Sequence, residues 1–158
     1  MTERKATGRD VPGVIAPPPV IYALAIAIGI MLHRSFPQAM LPAPWARPLA
    51  LLFFVTGLAG IAAVVAFHRA GTSPNPYRSS SRLVTTGIYR VSRNPMYVGF
   101  TLGYLAVACW FNSVWLFLLL PIVLLVMLYG VILREEAYLE RQFGEEYRAY
   151  RGHVRRWL

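Results

Sequence analysis

Residues 96–133 decide the fold and read MYVGFTLGYLAVACWFNSVWLFLLLPIVLLVMLYGVIL. Asn112 and Ser113 divide this run into two apolar halves. Because a helix rises about 1.5 Å per residue, two bilayer crossings need roughly 40 residues. The run is slightly shorter than that. It therefore predicts a helical hairpin with a minimal turn, whose helices extend beyond the apolar limits.

Two further apolar segments precede the hairpin. Residues 20–32, VIYALAIAIGIML, extend through Phe36 to the length of a spanning helix, and residues 49–67 form a second span. The second is rich in Gly and Ala, which let helix backbones approach closely in lipid. A signal peptide is the alternative for the first segment because a basic tail precedes it. The later spans and the proline-rich stretch after it favour a retained helix.

The composition is that of a membrane protein. Hydrophobic residues make up 56% of the 158 positions and the mean hydropathy is +0.47, whereas a soluble domain has about 45–50% apolar residues. A net charge of +9 suits either nucleic acid or an anionic membrane surface, and the hydropathy favours the membrane. The single Cys109 excludes an internal disulfide, and the three histidines lack metal-ligand spacing. We expect no nucleic-acid partner and no metal.

Arginine and lysine placement predicts the orientation. The N-terminal tail, the 68–96 segment and the C-terminal tail carry 3, 5 and 6 of these residues, and the segments between the other span ends carry only Arg34 and Arg47. The positive-inside rule then puts both termini and the 68–95 loop in the cytoplasm, with four spans. The expected localisation is an integral membrane position, in a bacterial inner membrane.

The C-terminal tail, residues 134–158, differs from the rest because it is highly charged. Its apolar side chains recur at helical spacing: Leu139, Phe143, Tyr147 and Tyr150. This pattern predicts an amphipathic helix that lies on the membrane or folds back over the bundle, bent or broken at Gly144. The predicted fold is an all-α polytopic membrane bundle of about four transmembrane helices plus this helix. It forms one domain, 1–158, in which 1–67 hold the first two spans and 68–158 form the functional part.

Two polar groups stand against apolar runs and are candidate functional residues. Asn94-Pro95 is typical of a helix start, at which Asn caps free N–H groups, and such an end also attracts anions. Arg90 and Arg93 add positive charge, which also suits lipid headgroups. Glu135 and Glu136 follow the second half of the hairpin. They form either a solvated helical turn with local ion pairs or a binding site for a cationic ligand such as an ammonium group. Together, the basic and acidic groups suit a zwitterionic ligand with an amino-acid head.

The segments LVTTGIYRVSRNPMYVG (83–99) and REEAYLERQFGEEYRAYRGHV (134–154), separated by an apolar hairpin, carry a resemblance to a known family. The chain resembles the isoprenylcysteine carboxyl methyltransferase and phospholipid methyltransferase superfamily of integral membrane enzymes. The resemblance covers roughly residues 68–158. It implies transfer of a methyl group from S-adenosyl-L-methionine to a lipophilic, membrane-embedded acceptor.

The resemblance also implies roles for particular residues. The cofactor-binding residues would be Gly87, Tyr89, Arg93, Asn94, Pro95, Tyr97, Gly99, Glu135 and Glu136. The catalytic residues follow from the needs of methyl transfer and not from the resemblance. Arg134 or Arg90 would orient an anionic acceptor, and Glu136 or Tyr97 would be the base for an amine or hydroxyl acceptor. Replacement of Glu136 by Ala is expected to weaken binding of S-adenosylhomocysteine with little loss of folding.

Two departures from the family pattern affect these roles. Many eukaryotic members have His at the position of Asn94, and Asn cannot act as a base near neutral pH. Ile132 stands where eukaryotic carboxyl methyltransferases have an Arg. There are two alternatives to a methyltransferase. One is an NADPH-dependent enzyme similar to the sterol reductases, in which the arginines would bind the 2′-phosphate of NADPH. The other is a non-catalytic membrane scaffold.

Overall fold

The computed structural model describes residues 11–69 and 82–158. Within these residues every regular element is helical, which confirms the predicted all-α class. The helices are α1 Pro18–Ser35, α2 Ala43–Gly57, α3 Ala59–Arg69, α4 Pro95–Phe111, α5 Val114–Met127, α6 Leu133–Phe143 and α7 Glu145–His153. A 3-10 helix lies at Gly87–Arg90, and a π-helical turn at Leu128–Ile132 joins α5 to α6. The N-terminal tail 1–10 and residues 70–81 of the predicted loop lie outside the described residues.

Three helical stretches are long and apolar enough to cross a membrane: Pro18–Ser35, Ala43–Ala66 and Val114–Phe143. The fourth predicted span is α4, a shorter apolar helix of 17 residues, close to the lower limit of roughly 17 residues for a crossing. The second stretch begins at Ala43, six residues before the predicted start, because Pro44 fits the first helical turn. The chain is therefore an integral membrane protein with three to four spanning helices.

The predicted minimal turn between α4 and α5 is present and is fixed by Asn112. This residue adopts the left-handed conformation, with φ of 46°, as a helix C-terminus often requires. Its amide Nδ2 donates to the Leu41 carbonyl at 2.8 Å, and its Oδ1 accepts from the backbone N–H groups of Met40 and Leu41. One side chain thus joins the hairpin turn to the connection between α1 and α2. The helix after the turn extends to Phe143, beyond the apolar limit, as expected.

Helices α3 and α4 meet through glycine. A Cβ atom built on Gly99 would lie 2.8 Å from the Cα of Gly60 and 3.1 Å from the carbonyl oxygen of Gly57. Both neighbours are backbone atoms, which cannot swing aside as a side chain can. The small residues of the second span therefore have the predicted role of allowing two helices to pack backbone to backbone.

The C-terminal tail folds back onto the bundle and does not continue α6. Gly144, with φ of 54°, ends α6 and starts α7, which confirms the predicted break. Tyr147 is buried, and the Tyr150 hydroxyl donates to the Tyr89 carbonyl at 2.7 Å. The sequence allowed this helix to lie on the membrane surface or to fold back over the bundle, and these contacts correspond to the second placement.

Replacement of Gly99 by Ala is expected to lower the free energy of unfolding by about 1–3 kcal/mol, the usual cost of overpacking. Gly103 is the matched control because it lies one turn later in α4 and a Cβ there meets nothing within 4 Å. Thermal unfolding of the two variants in detergent measures the difference. Equal melting temperatures for G99A and G103A would contradict the close backbone contact.

Candidate functional site

The candidate site forms where the start of α4, the start of α6 and the C-terminal residues meet. Helix α4 begins at Pro95, as predicted, but the Asn94 side chain does not cap it. The Asn94 Nδ2 instead donates to the Arg156 carbonyl at 3.0 Å, and the Asn94 backbone N–H donates to the Ser92 hydroxyl at 3.1 Å. The capping prediction is therefore wrong, because a backbone carbonyl from the far end of the chain binds the amide.

A carboxylate held by two guanidinium groups lies at the centre of the site. Glu136 accepts from Arg93 Nη1 at 3.1 Å, and from Nε and Nη2 of Arg156 at 2.8 and 2.9 Å. The side chains of Arg93 and Glu136 are only 9% and 10% exposed, and that of Arg156 is 35% exposed. The two-point contact with Arg156 matches the planar fork of guanidinium to the two carboxylate oxygens, and this bond raises the pKa of Arg156.

The cluster has an excess of positive charge and one hydrogen-bond donor without an acceptor among the described residues. Two guanidinium groups and one carboxylate leave one net positive charge. The buried Nε–H of Arg93 has no hydrogen-bond acceptor among the described residues. Buried N–H groups without acceptors are rare in folded proteins. An anionic oxygen beside Arg93 would satisfy this donor.

The neighbouring carboxylate, Glu135, has a different partner. The Tyr97 hydroxyl lies 2.7 and 2.8 Å from its two oxygens. Tyr97 is buried in α4, two residues after Pro95, so this bond joins the first turn of α4 to the first turn of α6. The predicted basic and acidic groups are thus in direct contact, through the pairs Arg93–Glu136 and Tyr97–Glu135.

The C-terminal residues form a strap over the loop that precedes α4; we use this name for residues 154–158. The Arg93 N–H donates to the Arg155 carbonyl at 2.9 Å, and the Ser92 hydroxyl donates to the Arg156 carbonyl at 3.3 Å. Beside the strap, Arg93 Nη1 lies 3.4 Å from the hydroxyl of Tyr147. Burial raises the pKa of Tyr147 and of Tyr150, so both hydroxyls keep their protons at neutral pH and cannot act as bases.

Other predicted site residues lie around this centre or apart from it. Gly87 begins the 3-10 helix with φ of 62°, and Tyr89 is buried in it beneath Tyr150. Gly99 faces the glycines of α2 and α3, so its described neighbours are helix backbone. Arg134 donates to the Gly13 carbonyl at 3.0 Å, and its position on the helix is roughly 160° away from that of Glu136. Arg90 is exposed.

A cavity of about 810 Å³ adjoins the loop before α4. Its walls are the apolar face of α3, from Leu58 to Ala66, and the residues Thr86, Gly87 and Ile88, with Arg69 among its lining residues. Tyr89, which follows Ile88, packs with Ala63 of α3 in one buried cluster. The cavity is thus apolar along the helix and polar at the loop.

Sequence reasoning missed Arg156, Ser92 and the carbonyl of Arg155. The tail contains six basic residues from position 134 onward, and nothing in their spacing distinguishes the one that reaches Glu136. Ser92 lies in a loop without periodicity. The pattern that came closest to indicating these contacts is the apolar helix face that ends at Tyr150. It predicts a C-terminal helix that can pack against the bundle, which brings the residues after it near the site.

The fold and the site together define a helical integral membrane protein with a buried polar site at one end of its bundle. The sequence model of the phospholipid methyltransferase family matches residues 45–146. This match spans more than half of the chain, which therefore belongs to that family. Membership confirms the resemblance to the superfamily and implies methyltransferase activity in general. The matched range contains Arg93, Asn94, Glu135 and Glu136 but ends before the strap.

The chain is also similar to an uncharacterized protein of Haemophilus influenzae. The two are 44% identical over 63 residues, which are 40% of this chain and the whole of that protein. No solved structure matches the chain.

Replacement of Arg156 by Gln is expected to lower the free energy of unfolding by about 1–2 kcal/mol, because it removes charge-assisted bonds to a buried carboxylate. Arg155→Gln is the matched control, since Arg155 is adjacent and exposed and contributes its carbonyl to the contact with Arg93. Chemical or thermal unfolding in detergent measures both. If R155Q loses as much stability as R156Q, net charge and not the ion pair determines the effect.

Proposed function

We propose that this protein transfers a methyl group from S-adenosyl-L-methionine to a lipophilic acceptor embedded in the membrane. The observation that carries the proposal is the buried cluster of Arg93 and Glu136 between α4 and α6, in a chain of the phospholipid methyltransferase family. Members of this family generally use this cofactor. Bound S-adenosyl-L-methionine would supply an electrophilic methyl group on a positively charged sulfur.

The residues at the site fit the amino-acid head of that cofactor. Its carboxylate would be bound by Arg93, whose buried Nε–H has no acceptor among the described residues. A charge-assisted bond at this point would satisfy a donor that otherwise costs free energy. Its ammonium group would be bound by Glu136.

Binding of an ammonium group at Glu136 implies a change in the strap. Both oxygens of Glu136 now accept from Arg156, so an incoming cation would replace that guanidinium. The exchange substitutes one cation for another and leaves the buried carboxylate neutralised. Arg156 is the more exposed of the two arginine partners, and its side chain can therefore move into solvent more readily than that of Arg93.

Tyr97 and Glu135 would hold the geometry of the site. Their hydrogen bond fixes α4 against α6, and alignment of reactants is the main requirement of methyl transfer. The strap and α7 cover the loop before α4 and would keep water from the reacting groups. A carboxylate acceptor is ionised at neutral pH and needs no base. An amine or hydroxyl acceptor needs one, for which Glu136 is the candidate, since the Tyr97 hydroxyl keeps its proton and donates a hydrogen bond to Glu135. Arg134 remains a candidate for orienting an anionic acceptor.

The cavity along α3 is the proposed route of the acceptor. Its apolar wall suits an acyl or prenyl chain, and its loop side is formed by residues 86–88, which precede Arg93 by a few positions in the chain. The basic residues predict that this end of the bundle is cytoplasmic, and we propose a bacterial inner membrane as the location. An isoprenylcysteine-like carboxylate and a phospholipid headgroup are the two acceptor classes that fit.

Titration calorimetry of the purified protein tests the cofactor. S-adenosylhomocysteine should bind and NADPH should not. Binding of NADPH alone would favour an enzyme similar to the sterol reductases, and binding of neither by folded protein would leave a non-catalytic scaffold.

Glu136→Gln is expected to lower the affinity for S-adenosylhomocysteine about tenfold or more, the value of one charge-assisted hydrogen bond. Folding should also weaken, because the variant leaves Arg93 buried without its carboxylate, unlike the expectation from sequence alone. Glu140→Gln is the control: Glu140 lies one turn later in α6 and pairs with Arg148 and Arg151. Affinities are compared on protein shown to be folded by circular dichroism. Unchanged affinity in E136Q would refute the assigned role.

Incubation of membranes with methyl-labelled S-adenosyl-L-methionine tests the acceptor. Label is expected in the lipid extract, since the acceptor is lipophilic. Base-labile label released as methanol would identify a methyl ester, whereas stable label in a phospholipid headgroup would identify N-methylation. Label that stays in the aqueous phase would contradict a membrane-embedded acceptor.

A further inference from the structure

A second groove lies at the opposite end of the bundle from the Arg93–Glu136 cluster. It occupies about 520 Å³ between α2 and α4, and apolar residues line it: Ala50, Leu51, Phe54, Ala106, Val107 and Trp110 are among them. Trp110 is near the C-terminal end of α4, whereas the cluster adjoins its first residue. At a rise of about 1.5 Å per residue, Trp110 lies about 22 Å along α4 from Pro95.

One cation stands at the mouth of this groove. The guanidinium carbon of Arg47 lies 5.4 Å from the centre of the Trp110 ring, a distance typical of cation–π contacts. Arg47 is exposed and lies in the first turns of α2, where the helix dipole disfavours a positive charge. Both features leave the guanidinium open to an anion from outside the chain.

Among residues 11–69 and 82–158, no acidic side chain pairs with Arg47. Residues 11–134 contain no Asp or Glu, and the acidic residues from 135 onward belong to α6 and beyond, at the site end. An anionic lipid headgroup is the counter-charge that the membrane surface offers to Arg47.

We propose that this groove binds an anionic phospholipid of the leaflet opposite the methyl-transfer site. The phosphate pairs with Arg47 at the membrane surface, and one acyl chain lies along the groove between Phe54 and Trp110. A positive charge directly above an apolar slot matches the two parts of such a lipid. The inference does not depend on the proposed methyl transfer.

Fluorescence quenching at Trp110 tests the proposal locally. A variant that keeps only this tryptophan (W45F, W115F, W157F) is reconstituted in equal mixtures of phosphatidylglycerol and phosphatidylcholine, with bromine on the chains of one lipid or the other. Bromine on phosphatidylglycerol should quench more strongly, with a preference of roughly fivefold, as expected for one basic residue at a lipid surface.

Two matched charge variants identify the responsible residue. R47Q should reduce the preference to about one, and R47K should retain most of it. R34Q removes the same charge at the same end, in the last turn of α1, and should change nothing. The proposal is overturned if R47Q keeps the preference or if R34Q loses it equally.

A third variant tests the chain-binding part of the groove. A Cβ at Gly103, which lines the groove, meets nothing within 4 Å, so the side chain of G103L begins in the open space of the groove. It should reduce quenching by both brominated lipids. Protection of Trp110 that grows with protein-to-lipid ratio would instead identify a second copy of the chain as the occupant. If the single-tryptophan variant does not fold, native mass spectrometry replaces it: R47Q, but not R34Q, must lose one bound phosphatidylglycerol.

Discussion

The carboxylate of Glu136 must be neutralised because it is buried at the edge of an apolar bundle, and the arrangement of the site follows from that requirement. An unpaired buried charge costs several kcal/mol. Two arginines meet the need, Arg93 from the loop before α4 and Arg156 from the C-terminus. Three positions that are distant in the chain thus become one unit, and the start of α4, the start of α6 and the strap are ordered with respect to each other.

The rest of the bundle follows a different physical rule. Apolar surface gains little from burial when lipid tails are the alternative solvent, so helices associate through close backbone packing and satisfied polar groups. The contact between Gly60 and Gly99 is an example of close backbone packing. The hydrogen bonds of the Asn112 side chain are an example of satisfied polar groups. These contacts hold α2, α3 and α4 in register, and they place Tyr97 where it reaches Glu135. Charge pairing then determines the geometry at this end, while Arg34 and Arg47 are exposed at the opposite end.

Sequence reasoning succeeded where one residue type has one strong local preference. The apolar runs predicted the spans, Asn112-Ser113 predicted the hairpin turn, and Gly144 predicted the break between α6 and α7. It failed at Asn94, because an amide that suits a helix cap also suits any nearby carbonyl. The local pattern does not reveal that the Arg156 carbonyl lies within 3.0 Å.

By itself, the sequence determined the class of the protein, the approximate spans and the two polar blocks that carry the family resemblance, since hydropathy and turn chemistry act over a few neighbouring residues. Only the tertiary structure decided how those blocks pair. From the sequence, Arg93 was expected to bind a ligand, whereas its described partner is Glu136. Glu135 and Glu136 were treated as one acidic pair, but Glu135 binds Tyr97 and Glu136 binds two arginines. The reason is geometric. Side-chain pairing across a bundle depends on which helix faces meet, and that is fixed by the packing of all the helices together.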